Sequence, residues 1–117
     1  MKKTSFAALG LALSIGLAPS AFAATKSVTG NLVDTFCYST LGAHGPSHKQ
    51  CALNCAKAGI PVGLVEKGTS KMLILLPPKN DSAMPDSVVQ KMESEVTVTG
   101  QEYRKDGVTF LTVESVK

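Results

Sequence analysis

The chemistry-bearing side chains of this 117-residue sequence are concentrated in one stretch, residues 36–55, which reads FCYSTLGAHGPSHKQCALNC. It contains every cysteine and histidine of the chain: Cys37, His44, His48, Cys51 and Cys55. Thiolate sulfur and imidazole nitrogen are the ligands that Zn²⁺ takes up in proteins, and Cu(I) prefers soft sulfur. Because three cysteines cannot all pair within one molecule, at least one is free, metal-bound or linked elsewhere. Any specific chemistry is therefore expected in this stretch.

The second half of the stretch is predicted to form a helix over residues 48–58. Ser47 as N-cap and Gln50 three residues later make a capping box. Gly59 supplies a C-terminal stop, and Pro61 cannot continue a helix. The elements that position the thiols are thus a short helix and the strand that precedes it.

Four side chains form the predicted metal site. His48, Cys51 and Cys55 share one face of the predicted helix, because residues three and four apart lie on the same side. We expect that face to lie against the body of the domain, where Cys37, at the end of the first strand, adds a third thiolate. A Cys₃His set has the stoichiometry of a structural zinc site and also suits Cu(I). The predicted cofactor is therefore Zn²⁺ or Cu(I).

Three further side chains are secondary candidates, either as an alternate ligand or as a group that orients one: His44, Asp34 and Met84. Asp34 is explained more simply by the end of a strand or the cap of a turn. The spacing C-x13-C-x3-C is not a common zinc-finger spacing, so it does not by itself identify a metal.

A disulfide is the main competing interpretation. Cys51 and Cys55 cannot pair within a helix, since their Cβ atoms would be about 5–6 Å apart, whereas a disulfide needs about 3.8 Å. Cys37 can pair with either of them, which would make the chain a disulfide-stabilised interaction module for a partner protein or a small ligand. A third hypothesis is a thiol redox or sensor protein. No C-x-x-C motif or carboxylate pair is present, so a binding protein is expected rather than an enzyme.

Residues 1–23 have the pattern of a bacterial secretory signal peptide. Lys2 and Lys3 precede an apolar run over residues 6–18, and Ala21-Phe22-Ala23 matches the small-x-small cleavage rule. The run is too short for a membrane span, and no stop-transfer pattern follows. We expect cleavage after Ala23, a periplasmic or secreted product and no membrane span after processing.

The remaining 94 residues, 24–117, suit a single small domain. Without Lys2 and Lys3, ten basic side chains face nine acidic ones, a net charge of +1. This near-balance and the absence of a basic aromatic stripe argue against a nucleic-acid partner. The expected partners are a metal ion and a possible periplasmic protein, and the oligomeric state is left open.

Alternating and apolar runs predict five short strands, over residues 27–34, 63–66, 70–76, 94–103 and 108–116. Residues 35–38 continue the first strand toward Cys37, and residues 60–62 lead into the second. Gly30 indicates a bulge or bend in the first strand, and the continuous apolar run 72–76 indicates burial on both faces. Asp106-Gly107 marks a hairpin turn, and Pro85 opens a second short helix over 85–93. The predicted fold is mainly β, a small five-stranded OB-like barrel with an inserted Cys/His-bearing helix.

Three motifs occur in order along the chain: G-x-L-V-D-x-x-C-Y from residue 30, G-x-x-H-x-x-C-A-x-x-C from residue 45 and G-x-P-x-G-L from residue 59. Together they resemble a family of small, largely uncharacterised exported bacterial domains. The resemblance covers residues 30–76 and extends loosely to the last hairpin. It implies an OB-like fold and a joint role for Cys37, His48, Cys51 and Cys55, but it brings no activity with it.

Overall fold

The computed structural model describes residues 24–117 and, in the preceding segment, Gly16 alone. The predicted signal peptide and its cleavage site therefore lie outside the described residues. The described domain is mainly β, as predicted. Its strands are β1 Ala24–Asp34, β2 Val62–Glu66, β3 Met72–Leu76, β4 Glu95–Lys105, β5 Val108–Thr112 and β6 Ser115–Val116.

The first five strands close into a barrel. They pair in the order β1-β2-β3-β5-β4, and β4 returns to pair with β1. All of these pairings are antiparallel except that of β3 with β5. The predicted OB-like barrel is confirmed. The last predicted strand is divided into β5 and β6. β5 pairs with residues 102–105 of β4, whereas the short β6 pairs with Val98 and Thr99 of the same strand.

β1 pairs with two neighbouring strands along different parts of its length. Residues 24–31 pair with β4, and residues 30–34 pair with β2. Gly30 lies at the crossing, where a Cβ atom would come within 2.2 Å of the carbonyl oxygen of Val65. The glycine that predicted a bulge or bend thus permits a close approach of two backbones.

The core fills the barrel and the space beneath the helices. Along β1 and β4 the buried side chains alternate with more exposed ones, as expected for strands with one face inward. In β3 only Leu73 and Leu75 are fully buried, and their neighbours are half-buried. The prediction that this strand is buried on both faces is therefore wrong, because its outer face is only partly covered.

The described residues also form three short α-helices: α1 Thr35–Leu41, α2 Lys49–Lys57 and α3 Asp86–Val89. Both α1 and α2 lie in the connection between β1 and β2, residues 35–61, which we call the inserted segment. A 3₁₀ turn, Pro46–His48, leads into α2. None of the helices among the described residues has the length and apolarity needed to cross a membrane.

Two predictions about the inserted segment are wrong. Cys37 was expected at the end of the first strand, but residues 35–38 belong to α1. Asp34 ends the strand, as expected, and caps this helix. The expected capping box is also absent: His48 is the N-cap of α2 without a side-chain bond, and Gln50 donates to Asn54. The C-terminal stop is confirmed, because Gly59 adopts a φ of 92° directly after the helix.

The second predicted helix exists but is shorter than expected. It spans Asp86–Val89, with Pro85 at its N-cap rather than inside it. Val88 and Val89 are buried in the core together with Met92, and α3 packs against α2. This helix therefore connects α2 of the inserted segment with the hydrophobic core.

Candidate metal centre

The site begins at the residue where β1 becomes α1. Asp34 is fully buried, and its Oδ1 accepts a hydrogen bond of 2.8 Å from the backbone N–H of Cys37. A carboxylate at this position satisfies one of the unpaired N–H groups of the first helical turn. The helix that starts here points Cys37 inward as its one buried residue.

The same carboxylate reaches across to the second half of the inserted segment. Its Oδ2 lies 2.8 Å from Nε2 of His48, whose side chain is 15 % exposed. Thr35 adds a further link, because both its backbone N–H and its hydroxyl donate to the carbonyl of Pro61. The two ends of the inserted segment are thus tied together beside the barrel wall.

The three thiols converge between α1 and α2. Their Sγ atoms all lie within 4.8 Å of one another, and all three are free thiols. Cys37 is buried, Cys55 is half-buried and Cys51 is exposed. Three sulfur atoms at these separations could bind one metal ion, since each would need to move little to reach a metal–sulfur distance of about 2.3 Å.

His48 belongs to a second, overlapping group. Ligand atoms of Asp34, Cys37 and His48 also lie within 4.8 Å of one another. Of the predicted Cys₃His set, the three cysteines form one group, and His48 joins Cys37 in the other. The two triads share Cys37. Asp34, which the sequence offered only as a secondary candidate, is a member of the second triad.

Burial and neighbouring charges raise the pKa of two of the thiols, Cys37 and Cys55. Burial raises the pKa of Cys37 to about 12, and its hydrogen bond to Asp34 and the nearby Cys51 and Cys55 act in the same direction. Burial also raises the pKa of Cys55, with further contributions from the charges of Asp34 and Cys51. Without a cation, Cys37 is therefore a thiol at neutral pH and a poor nucleophile.

The pKa of Asp34 shifts in the opposite direction. Burial alone would favour its neutral form, but the hydrogen bonds from Cys37 and His48 outweigh that effect and lower the pKa of Asp34. The carboxylate is thus ionised at neutral pH. The centre combines one fixed negative charge with three groups that can become negative, which favours a cation between them.

The orientation of α2 differs from the prediction. Its buried side chains are Ala52 and Ala56, whereas Cys51 faces solvent. The small alanines let the helix approach the barrel closely and turn the cysteines to the edge of the contact. The thiol site is consequently open on one side rather than enclosed by the domain.

The remaining secondary candidates lie elsewhere. The ring of His44 packs on that of Tyr38, with centroids 6.0 Å apart and a tilt of 32°. Met84 is partly buried against the hydrophobic core. Neither belongs to the two groups of potential ligands found among the described residues.

One buried acid lies outside the set of predicted site residues. Glu93 is 8 % exposed, and its Oε2 accepts a hydrogen bond of 2.6 Å from the backbone N–H of Gly45. The loop that precedes His48 is therefore fastened by a residue almost fifty positions away. No motif or periodicity marked Glu93, because only the chain's folding places it beside this loop.

Comparison of the chain with protein-family models, curated proteins and solved structures gave no significant match. The family resemblance drawn from the motifs therefore stays a prediction.

Proposed function

We propose that this protein is an exported metal-binding domain that holds Zn²⁺ or Cu(I) through Cys37, Cys51 and Cys55, with His48 as a fourth ligand. The observation that carries the proposal is the convergence of the three Sγ atoms within 4.8 Å. The proposal includes processing after Ala23, a periplasmic or secreted location and binding rather than catalysis as the task.

The electrostatics of the site support a cation. In its absence the buried Cys37 thiol keeps its proton at neutral pH, because its pKa is raised to about 12. A bound soft metal ion would displace that proton and offset the charges that otherwise oppose ionisation, since coordination deprotonates a thiol outright. Burial and nearby charges oppose the ionisation of Cys37 and Cys55, and a positive centre between the sulfur atoms offsets that opposition.

His48 decides between the two metals. Asp34 holds one ring nitrogen of His48 at 2.8 Å, which leaves the other nitrogen as a potential ligand. A carboxylate that orients a histidine in this way is a common partner of metal-binding imidazoles. Four ligands from this set favour tetrahedral Zn²⁺, whereas the three thiolates alone favour Cu(I).

The exposure of Cys51 supports an exchangeable ion. A ligand on the open side can be reached by solvent or by a protein that delivers or removes the metal. The barrel has its own closed sheet and core, so its folding does not require the ion. A periplasmic partner protein remains part of the proposal on this ground.

Native mass spectrometry of the exported protein tests the proposal, with metal quantified by elemental analysis. We expect one Zn²⁺ or Cu(I) per chain, an N-terminus at Ala24 and loss of the metal in Cys37→Ser. His48→Gln should weaken Zn²⁺ binding, whereas His44→Gln, a matched change outside both ligand groups, should not.

The same measurement separates the alternatives. A chain two mass units lighter than the sum of its residues, with Cys37 linked to Cys51 or Cys55 and no metal, would overturn the metal site and leave the disulfide-stabilised module. Free thiols without metal, with one thiol reacting much faster than the others towards iodoacetamide, would instead point to a thiol redox protein.

A further inference from the structure

A cleft lies between the barrel wall and the loop that precedes His48. It has a volume of about 490 Å³, within the range of small-molecule sites. Val33 and Val65 supply an apolar wall, and Tyr38 and His44 present their paired rings. None of the three cysteines lines this cleft.

The buried acid Glu93 lines this cleft. One carboxylate oxygen, Oε2, accepts the hydrogen bond from Gly45. The other, Oε1, is buried and receives no hydrogen bond from any described residue. A buried carboxylate oxygen without a donor costs free energy, and a ligand that donates a hydrogen bond would remove that cost.

The lining also determines the charge of the ligand. Among the described residues that border the cleft there is no lysine or arginine, so Glu93 has no cationic partner there. An anion would meet the carboxylate unscreened, and a neutral donor would leave its charge uncompensated. A protonated amine both donates N–H groups and carries the opposite charge.

We propose that this cleft binds a small primary amine in its ammonium form. The ammonium group donates to Glu93 Oε1, the ring of Tyr38 contacts the cation by its face, and Val33 and Val65 contact the alkyl chain. Because Oε1 is buried, the proposal includes a rotation of the Glu93 side chain that brings Oε1 to the cleft. The site is distinct from the thiol centre and does not depend on a bound metal.

Isothermal titration calorimetry on the exported protein tests this site with three probes of similar size: n-butylamine, 1,4-diaminobutane and 1-butanol. We expect both amines to bind with one-to-one stoichiometry and the alcohol to show no binding. Metal content, measured on the same samples, should not change on amine addition.

Two variants locate the site. Glu93→Gln keeps an oxygen for the Gly45 N–H but removes the charge, and it should weaken amine binding by about tenfold to a hundredfold. Asp106→Asn makes the same chemical change in the distant β4–β5 turn and should leave binding unaltered. If Glu93→Gln does not fold, Tyr38→Leu provides the second variant, with an expected loss of a few-fold.

The proposal is wrong if neither amine binds, if 1-butanol binds as tightly as n-butylamine, or if Glu93→Gln and Asp106→Asn bind alike. Displacement of the amines by a divalent cation that itself binds at Glu93 would also overturn it, in favour of a metal site. None of these outcomes bears on metal held by the thiols, so the two proposals fail separately.

Discussion

The barrel and the inserted segment are held together by different forces. In the barrel every strand of the closed sheet pairs with two neighbours, and the interior is filled with aliphatic side chains. The inserted segment contains helices of seven and nine residues, which are too short to be stable alone. It depends on a few polar contacts, of which those of Asp34 are the most buried.

This difference separates stability from chemistry. The barrel has a large apolar core and no thiol, whereas the inserted segment has all the thiols and buries little more than Ala52, Ala56 and Cys37. Changes in the barrel should therefore act on folding, and changes in the inserted segment should act mainly on the site. Asp34 is the exception, because it ends a barrel strand and also organises the site.

The largest expected effect on stability lies in the barrel. Leu111, on β5, is fully buried, and Leu111→Ala should lower the free energy of unfolding by about 2–5 kcal/mol. Leu41, at the end of α1, is 74 % exposed, and Leu41→Ala should change it by less than about 0.5 kcal/mol. Urea denaturation of the metal-free proteins measures both. Equal losses would show that the inserted segment contributes to stability as the barrel does.

Asp34 should show the next largest effect. Asp34→Ala removes the cap of α1 and the partner of His48, and it should cost about 2–4 kcal/mol in the metal-free protein. Asp34→Asn keeps an oxygen for the Cys37 N–H and should cost less. The same denaturation experiment decides: if the two variants are equally destabilised, the cap is not what Asp34 contributes.

The contribution of Asp34 should also depend on pH with a definite sign. Its pKa is lowered in the folded protein from an ordinary value of 3.8. The stability it confers is therefore complete above that ordinary value and is lost as the pH falls through the lowered folded value. The difference between the wild type and Asp34→Asn should be constant near pH 5 and shrink below about pH 3.8. A difference that grows on acidification would contradict the assignment.

The barrel was predictable because its signals are local and repeated. Alternation along β1 and β4 and the Asp106-Gly107 turn each indicate a strand or hairpin within a few residues. The turn is confirmed by positive φ angles at both residues, 50° and 82°. The OB-like order of strands followed from the number and spacing of these elements.

The site was only partly predictable, because its key contacts join distant residues. The expectation that the three cysteines lie together followed from helical spacing on α2, although Cys37 lies on α1 rather than at the end of the first strand. The Asp34–His48 contact and the bond from Gly45 to Glu93 span 14 and 48 residues, and no spacing rule predicts such pairs. The outward direction of Cys51 was missed because Ala52 and Ala56, rather than the cysteines, pack on the barrel.

The two candidate caps of the inserted segment give the smallest and sharpest test. Ser47 has the sequence of an N-cap, yet α2 starts after His48 and no side chain caps it, whereas Asp34 caps α1. Ser47→Ala should therefore change the free energy of unfolding by less than about 0.5 kcal/mol, since a true cap costs about 1 kcal/mol on removal. Urea denaturation beside Asp34→Ala measures the contrast. A loss near 1 kcal/mol at Ser47 would mean that the 3₁₀ turn reorganises into the capped helix that the sequence predicts, and His48 would then lie inside that helix rather than at its N-cap.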